Sequence, residues 1–323
     1  MKSHPRQSRV LAIDIGGTNV KAGLVDRNGV ITGMTHRPSH AAEGRNALLD
    51  VLRGLVKEMC AGSKVAAIGV GSPGTIDHHD GSVVYMPAHI PDWSGTPLGK
   101  LLRTWSGVPA TVDNDVNVIA LGENWKGAGK GCLNQVSLAM GTGLGGGIII
   151  NGRLYRGARG YAPELGHIVV CPGGEPCTCG NFGCVEVYTA PGAIARRAEH
   201  YLRLGVPSAL RDCPQITARE IVKFGNAGDH LCRKLLDEAA HYLALLIWNL
   251  MQTLEPHVFV LGGGLMKAGK AFLDPLHREL DAFHQQQELR PMYKLRVSQL
   301  GDNAGILGAA QLAWSWLDGT DRA

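Results

Sequence analysis

The chain has 323 residues, 45 % hydrophobic and 19 % charged, with a net charge of +4; this exceeds the ~250–300 residues at which a single core stops growing, so two domains are expected. The mild, dispersed charge carries no nucleic-acid or membrane-surface signature. The N-terminal MKSHPRQSR lacks the apolar stretch of a signal peptide, and the longest apolar run, 242–251, is too short to cross a bilayer. A cytoplasmic protein is therefore expected, with its eight cysteines reduced or metal-bound rather than paired.

In chain order, 9–15 reads as a buried strand turned by Gly16-Gly17-Thr18. A second strand, 19–25, an Asn28-Gly29 hairpin turn and a third strand, 30–35, follow. Residues 47–59 form an amphipathic helical stretch. Residues 110–112 form a strand that runs into Asp113-Asn114-Asp115 and then a helix over 116–125. The opening pattern then recurs: strand 135–140, Gly141-Thr142-Gly143, strand 145–150, Asn151-Gly152, strand 153–155. A long helix over 231–250 precedes strand 257–260 and the run Leu261–Gly264. Strand 294–299 leads through Asp302-Asn303 into a helix over 304–316, repeating the earlier strand–Asp-Asn–helix sequence. Divergent duplication of one α/β unit accounts for both repeats, and the class is α/β with mixed sheets covered by helices.

Glycine is the compositional outlier, at 44 residues. DIGGTN at 14–19 and GTGLGGG at 141–147 are suited to cradling phosphates, because glycine lets backbone N–H groups approach oxygens closely. Asp14, at a strand end, is placed to hold magnesium directly or through water. Gly262, Gly263 and Gly264 suit the floor of a nucleotide site. Gly141, Gly143 and Gly146 also satisfy G-x-G-x-x-G, but a strand follows where a dinucleotide fingerprint needs a helix. His167, Cys177, Cys179 and Cys184 supply one imidazole and three thiolates, a closed tetrahedral zinc set, with Cys171 as a competing ligand. Among carboxylates, Asp115 begins a helix, where it serves either as a cap or as a fixed general base. Glu164 and Glu186 flank the zinc candidates.

These motifs, in this order, resemble the ROK family (repressors, open reading frames and sugar kinases) of the actin-like ATPase superfamily. The residues that carry the resemblance are DIGGTN, GVGSPG at 69–74, DNDVN at 113–117, GTGLGGG, ELGH at 164–167, CTCGNFGCVE at 177–186 and LGGG at 261–264. The resemblance implies a duplicated RNase H-like fold of two domains with a cleft between them. Residues 1–116 would form the first domain, 117–302 the second, and the helix of 303–323 would pack back on the first. It implies an ATP-dependent hexose kinase acting at the 6-hydroxyl, with Mg2+, a structural Zn2+ and a homodimeric assembly. Asp115 matches the catalytic base. Gly74, Asn114, Glu164, His167 and Glu186 match the sugar-binding set, with His167 also on zinc. Asp14, Gly16, Gly17 and Thr18 match the first phosphate loop, and Gly141, Thr142 and Gly143 the second. The family's repressors carry an added N-terminal helix-turn-helix, and only thirteen residues precede Asp14. One departure stands out. Where glucokinase-like members read P-N-L-x-x-W, this chain reads AHIPDW at 88–93, with His89 in place of the sugar-contacting Asn. His89 presents its donor and acceptor farther out than an amide. A hexose differing from glucose near that loop, or glucose at high KM, is expected.

Overall fold

The computed structural model describes residues 8–86, 90–286 and 293–320. In chain order, the first elements are β1 (Arg9–Ile15), β2 (Asn19–Asp26), β3 (Ile31–Pro38), α1 (Arg45–Cys60), β4 (Val65–Ser72), β5 (Thr75–Asp77), β6 (Ser82–Tyr85), α2 (Leu98–Ser106), β7 (Ala110–Asn114) and α3 (Asp115–Lys126). Next come β8 (Gln135–Met140), β9 (Leu144–Ile150), β10 (Arg153–Tyr155), α4 (Glu186–Thr189), α5 (Pro191–Arg203), α6 (Ala218–Asn226) and α7 (His230–Leu254). The last are β11 (Val258–Gly263), α8 (Lys270–Gln286), β12 (Lys294–Val297) and α9 (Ala304–Leu317).

The repeat read from the sequence is a repeat of sheet topology. One five-stranded sheet has the order β3-β2-β1-β4-β7 and the other β10-β9-β8-β11-β12. In the first, β1–β2 and β2–β3 are antiparallel while β1–β4 and β4–β7 are parallel. In the second, β9–β10 is antiparallel while β8–β11 and β11–β12 are parallel. Each sheet's last strand feeds a helix, β7 into α3 and β12 into α9. This is the duplicated unit of the actin-like fold. The LGGG run extends the strand read over 257–260. Gly262 and Gly263 continue β11, pairing with Ala139 and Met140, and only at Gly264 does the chain leave the sheet for a 3-10 turn.

By packing, the chain divides into two units. The first comprises Met1–Leu133, Gly147–Pro163 and Gln299–Ala323, and the second Asn134–Gly146 and Glu164–Ser298. The boundary drawn at 116/117 from the sequence falls inside α3, which stays with the first unit because it packs against α9.

In the first unit, β1 is apolar on both faces because helices cover both. Leu11, Ile13 and Ile15 pack with Leu48, Leu52 and Leu55 of α1 and Leu98 and Leu102 of α2. Val10 and Ala12 pack on the other face with Val118 of α3 and Ile306, Ala309, Ala310, Ala313 and Trp314 of α9. Each fully buried Leu or Ile contributes roughly 1.5–3 kcal/mol. The α9 side is built from small residues, and there backbone meets backbone. A Cβ on Gly69 would lie 1.8 Å from the Ala309 carbonyl oxygen, one on Gly122 2.3 Å from that of Ala304, and one on Gly308 1.6 Å from that of Val118.

These distances set the sign of two substitutions. Alanine in a helix interior gains up to about 1 kcal/mol over glycine, whereas forcing a methyl into a closed contact costs about 1–3 kcal/mol or more. Gly54 of α1 is exposed with no atom within 4 Å of its would-be Cβ. Gly54→Ala is expected to raise the denaturation midpoint and Gly308→Ala to lower it, measured side by side in urea. A neutral Gly308→Ala would show that α3 and α9 are not in the contact described.

Candidate active site

In the first unit, Asp14 is the last residue but one of β1, and the Gly16 N–H donates to the Asn19 carbonyl at 2.9 Å to close the first loop. The loop is pinned from outside by Ser39, whose hydroxyl donates to the Gly17 carbonyl at 2.7 Å and whose N–H donates to that of Thr18 at 2.9 Å. Gly17 and Thr18 are exposed. Lys21 is the cross-strand partner of Asp14 in the β1–β2 register, and its ammonium donates to the Asp302 carbonyl at 3.2 Å. Burial raises the Asp14 carboxyl above its ordinary range, Lys21 opposes this, and Asp302 adds to it. Gly305, in the first turn of α9, leaves the room Asp14 occupies, since a Cβ there would lie 2.4 Å from its Oδ2. A half-buried carboxylate with this bias fits a cation.

The three polar residues at the β7–α3 junction divide their work. Asp113 is buried. Its carboxylate accepts from Arg156 Nε at 2.5 Å, the Asn117 amide at 2.8 Å and the Asn114 N–H at 2.8 Å. Asn114 caps α3: its Oδ1 accepts from the N–H groups of Val116 at 2.9 Å and Asn117 at 3.2 Å. Its Nδ2 donates to the Gly74 carbonyl at 3.1 Å, which leaves one amide hydrogen for a ligand. Gly74 holds that carbonyl at φ +98°, with the Tyr85 carbonyl 2.7 Å from where a Cβ would be. Asp115 is half-buried, and its Oδ1 accepts from the adjacent Val116 N–H at 2.9 Å. Desolvation first, then Asp14, push its carboxyl up to about 7, against the lowering effect of the α3 N–H groups and Asn114. A carboxyl titrating near neutrality is matched to proton abstraction.

In the second unit, the Gly141 N–H donates to the Gly143 carbonyl at 2.9 Å, and Gly141 and Thr142 are exposed. Glu186, at the start of α4, reaches this loop: its Oε2 accepts from the Leu144 N–H at 2.9 Å. Gly143 must lack a side chain there, since a Cβ would lie 2.2 Å from the same oxygen. Glu164 lies at the surface. Partial desolvation raises its carboxyl, His167 opposes this, and Glu186 adds to it, so the three groups share one neighbourhood. Gly262–Gly264 lie at the end of β11, where Gly263 has φ +98° and its would-be Cβ falls 1.9 Å from the Met140 carbonyl oxygen.

His167, Cys177, Cys179 and Cys184 come together, with one ligand atom from each lying within 4.8 Å of all the others. His167 Nδ1 is 3.5 Å from Cys177 Sγ, and Cys179 Sγ is 3.6 Å from Cys184 Sγ. Tetrahedral zinc with ordinary bond lengths requires about 3.6 Å between N and S and about 3.8 Å between two S atoms, so the set fits that ion. Cys171 is outside the set and instead hydrogen-bonds the Tyr242 and Tyr188 hydroxyls. Those two rings stack at 3.9 Å, fastening the segment to α7.

The sequence-derived residues thus fall into two groups, Asp14–Thr18, Gly74, Asn114 and Asp115 in the first unit, and Gly141–Gly143, Glu164, His167, Glu186, the three cysteines and Gly262–Gly264 in the second. His89 lies outside the described residues. Three contributors were missed. Lys21 was legible in principle from the hairpin register, and Gly305 from the second Asp-Asn–helix repeat. Arg156 had no local signal, because its partner Asp113 is 43 residues away.

A profile of the ROK family matches residues 10–315. The chain is 34 % identical over 312 residues to the glucokinase of Halalkalibacterium halodurans, covering 94 % of each protein. It superposes on a ROK hexokinase from Thermus thermophilus with a TM-score of 0.84 at 31 % identity, covering 96 % of this chain and 99 % of that one. It superposes on a ROK family glucokinase from Streptomyces griseus, crystallised with glucose and AMPPNP, with a TM-score of 0.80 at 32 % identity, covering 95 % and 100 %.

The raised Asp115 carboxyl makes a prediction that needs no substrate. A folded-state value near 7 against about 4 unfolded means that the folded chain holds this proton more tightly, so stability falls as pH rises across that window. Asp115→Asn carries no such proton. Its stability relative to the unaltered chain should therefore grow between about pH 5 and about pH 8, read as the difference in urea midpoints. A difference independent of pH would place Asp115 in solvent.

Proposed function

The chain belongs to the ROK family, and from that premise we propose that it transfers the γ-phosphoryl group of ATP to a hexose hydroxyl, at the 6-position. The observation that carries the reading is Asp115, a half-buried carboxyl pushed up to about 7 by burial and by Asp14, with its Oδ1 on the Val116 N–H and the Asn114 side chain beside it. As the hydroxyl oxygen bonds to the γ-phosphorus and the bond to ADP breaks, the hydroxyl proton passes to Asp115. Asn114, Glu164, Glu186 and His167 Nε2 hold the remaining hydroxyls. Backbone N–H groups of Gly16–Thr18 and Gly141–Gly143 receive phosphate oxygens, and Gly262–Gly264 lie under the nucleoside. Asp14 would hold magnesium, which would supply charge neutralisation of the phosphates. Glucose is the first acceptor to test, because the similar proteins include glucokinases and one was crystallised with glucose.

The test is an ADP-release assay with glucose, mannose, allose, N-acetylmannosamine and N-acetylglucosamine, for the unaltered chain, Asp115→Asn and His89→Asn. Asp115→Asn should lose about 10²–10⁴ in kcat while retaining sugar binding. Activity of the unaltered enzyme should fall as pH drops below about 7 and Asp115 takes up its proton. Turnover by Asp115→Asn within about threefold of normal would remove Asp115 from the role of base. Unchanged sugar ranking in His89→Asn would remove that residue from specificity.

The cysteine–histidine set is proposed to hold one structural zinc. All four positions come from protein, so none is open for water. His167 would ligate through Nδ1, which faces Cys177, leaving Nε2 fixed toward the sugar. One zinc per chain is expected by elemental analysis. Cys179→Ser should lose the zinc, lower the thermal midpoint and raise KM for sugar together. Full stability of a zinc-free protein would overturn the assignment.

A further inference from the structure

We propose that the turn between β5 and β6 carries a second, separate metal site, formed by Asp77, His78 and His79, for a divalent ion that favours imidazole nitrogen. One ligand atom from each of the three residues lies within 4.8 Å of the other two. Neighbouring residues in a strand point to opposite faces. Here β5 ends at Asp77, and the chain turns, which brings the His78 and His79 rings to 4.1 Å between centroids.

The ligands are held before any ion arrives. Asp77 Oδ1 accepts from the His79 N–H at 2.9 Å, which fixes the carboxylate over the turn and leaves Oδ2 to a metal. The Gly81 N–H donates to the Asp77 carbonyl at 2.8 Å, and the Ser82 N–H to Asp80 Oδ1 at 2.7 Å. The turn is fastened to α2 through the Gly99 N–H, which donates to the Gly81 carbonyl at 3.0 Å, and Arg103, which donates to that of Asp80 at 3.2 Å. Little ordering entropy is lost on binding to such a turn. Two imidazoles and a carboxylate select zinc, nickel or copper over magnesium and calcium. His79 is exposed, and Asp77 and His78 are half-buried, so water completes the coordination and exchange is fast compared with a closed four-cysteine-type site. The ion would clip the hairpin shut, and its three ligands are not among the residues assigned to phosphoryl transfer.

The experiment counts zinc on the tag-free chain after dialysis against graded free zinc. It compares the unaltered protein with Asp77→Asn and with the double substitution His78→Gln/His79→Gln. The unaltered chain should bind one equivalent more than the double variant, and that equivalent should raise its thermal midpoint. Asp77→Asn should weaken it by at least the ~10–100-fold that losing even a ligand-orienting partner costs. In a Cys179→Ser background the same equivalent should remain, which separates it from the cysteine site. Kinase activity should persist in the double variant, reporting an intact fold. Equal zinc on the unaltered chain and the double variant would overturn the proposal and assign any extra metal to scattered surface histidines.

Discussion

The crossing of α3 over α9 is the contact on which the placement of Asp14 and Asp115 depends. Gly122 and Gly308 remove the side chains that would keep the two backbones apart, and Gly69 does the same between α9 and β4. Because the helices meet at backbone distance, the start of α3 and the start of α9 both arrive at the end of β1. There Gly305 makes room for the Asp14 carboxylate, and Asp14 in turn raises Asp115. Burial of two carboxylates close together is unfavourable on its own. It is offset by the apolar packing of Val10, Ala12, Ile306 and Trp314 along the face where β1 and α9 meet.

The β7–α3 junction shows how three adjacent polar residues acquire different duties. Asp113 is committed to the buried pair with Arg156, flanked by amide donors that satisfy its other lone pairs. Removing one member of such a pair strands the other's charge, a loss of about 3–5 kcal/mol. Asn114 is committed to the helix end and to Gly74. Asp115, between them and the body of α3, takes the Val116 N–H on Oδ1 and is raised by burial and by Asp14. Fixed neighbours of this kind hold a side chain in one narrow geometry.

In the second unit Glu186 links two motifs. It sits two residues after Cys184, so its backbone position follows from the cysteine cluster, while its Oε2 fixes Leu144 at the end of the glycine turn. Anything that loosens the cysteine cluster therefore also loosens the second glycine turn. The stacked Tyr188 and Tyr242 tie the same segment to the long helix α7, giving the cluster a rigid base.

Much of this was determined by sequence alone. The alternation of residues 9–15 with 19–25, and its recurrence at 135–150, specified two hairpin-led sheets because side-chain periodicity and glycine turns are local properties. The cluster of His167, Cys177, Cys179 and Cys184 was readable because all four residues lie within eighteen positions. Only the tertiary structure decided the rest. It assigned α3 to the first unit, paired Asp113 with Arg156, set Lys21 against Asp302 across 281 residues, and turned Cys171 away from the cluster toward two tyrosines. It also raised the Asp115 carboxyl, which no local pattern encodes, because desolvation and the field of Asp14 exist only once α3 and β1 are packed together.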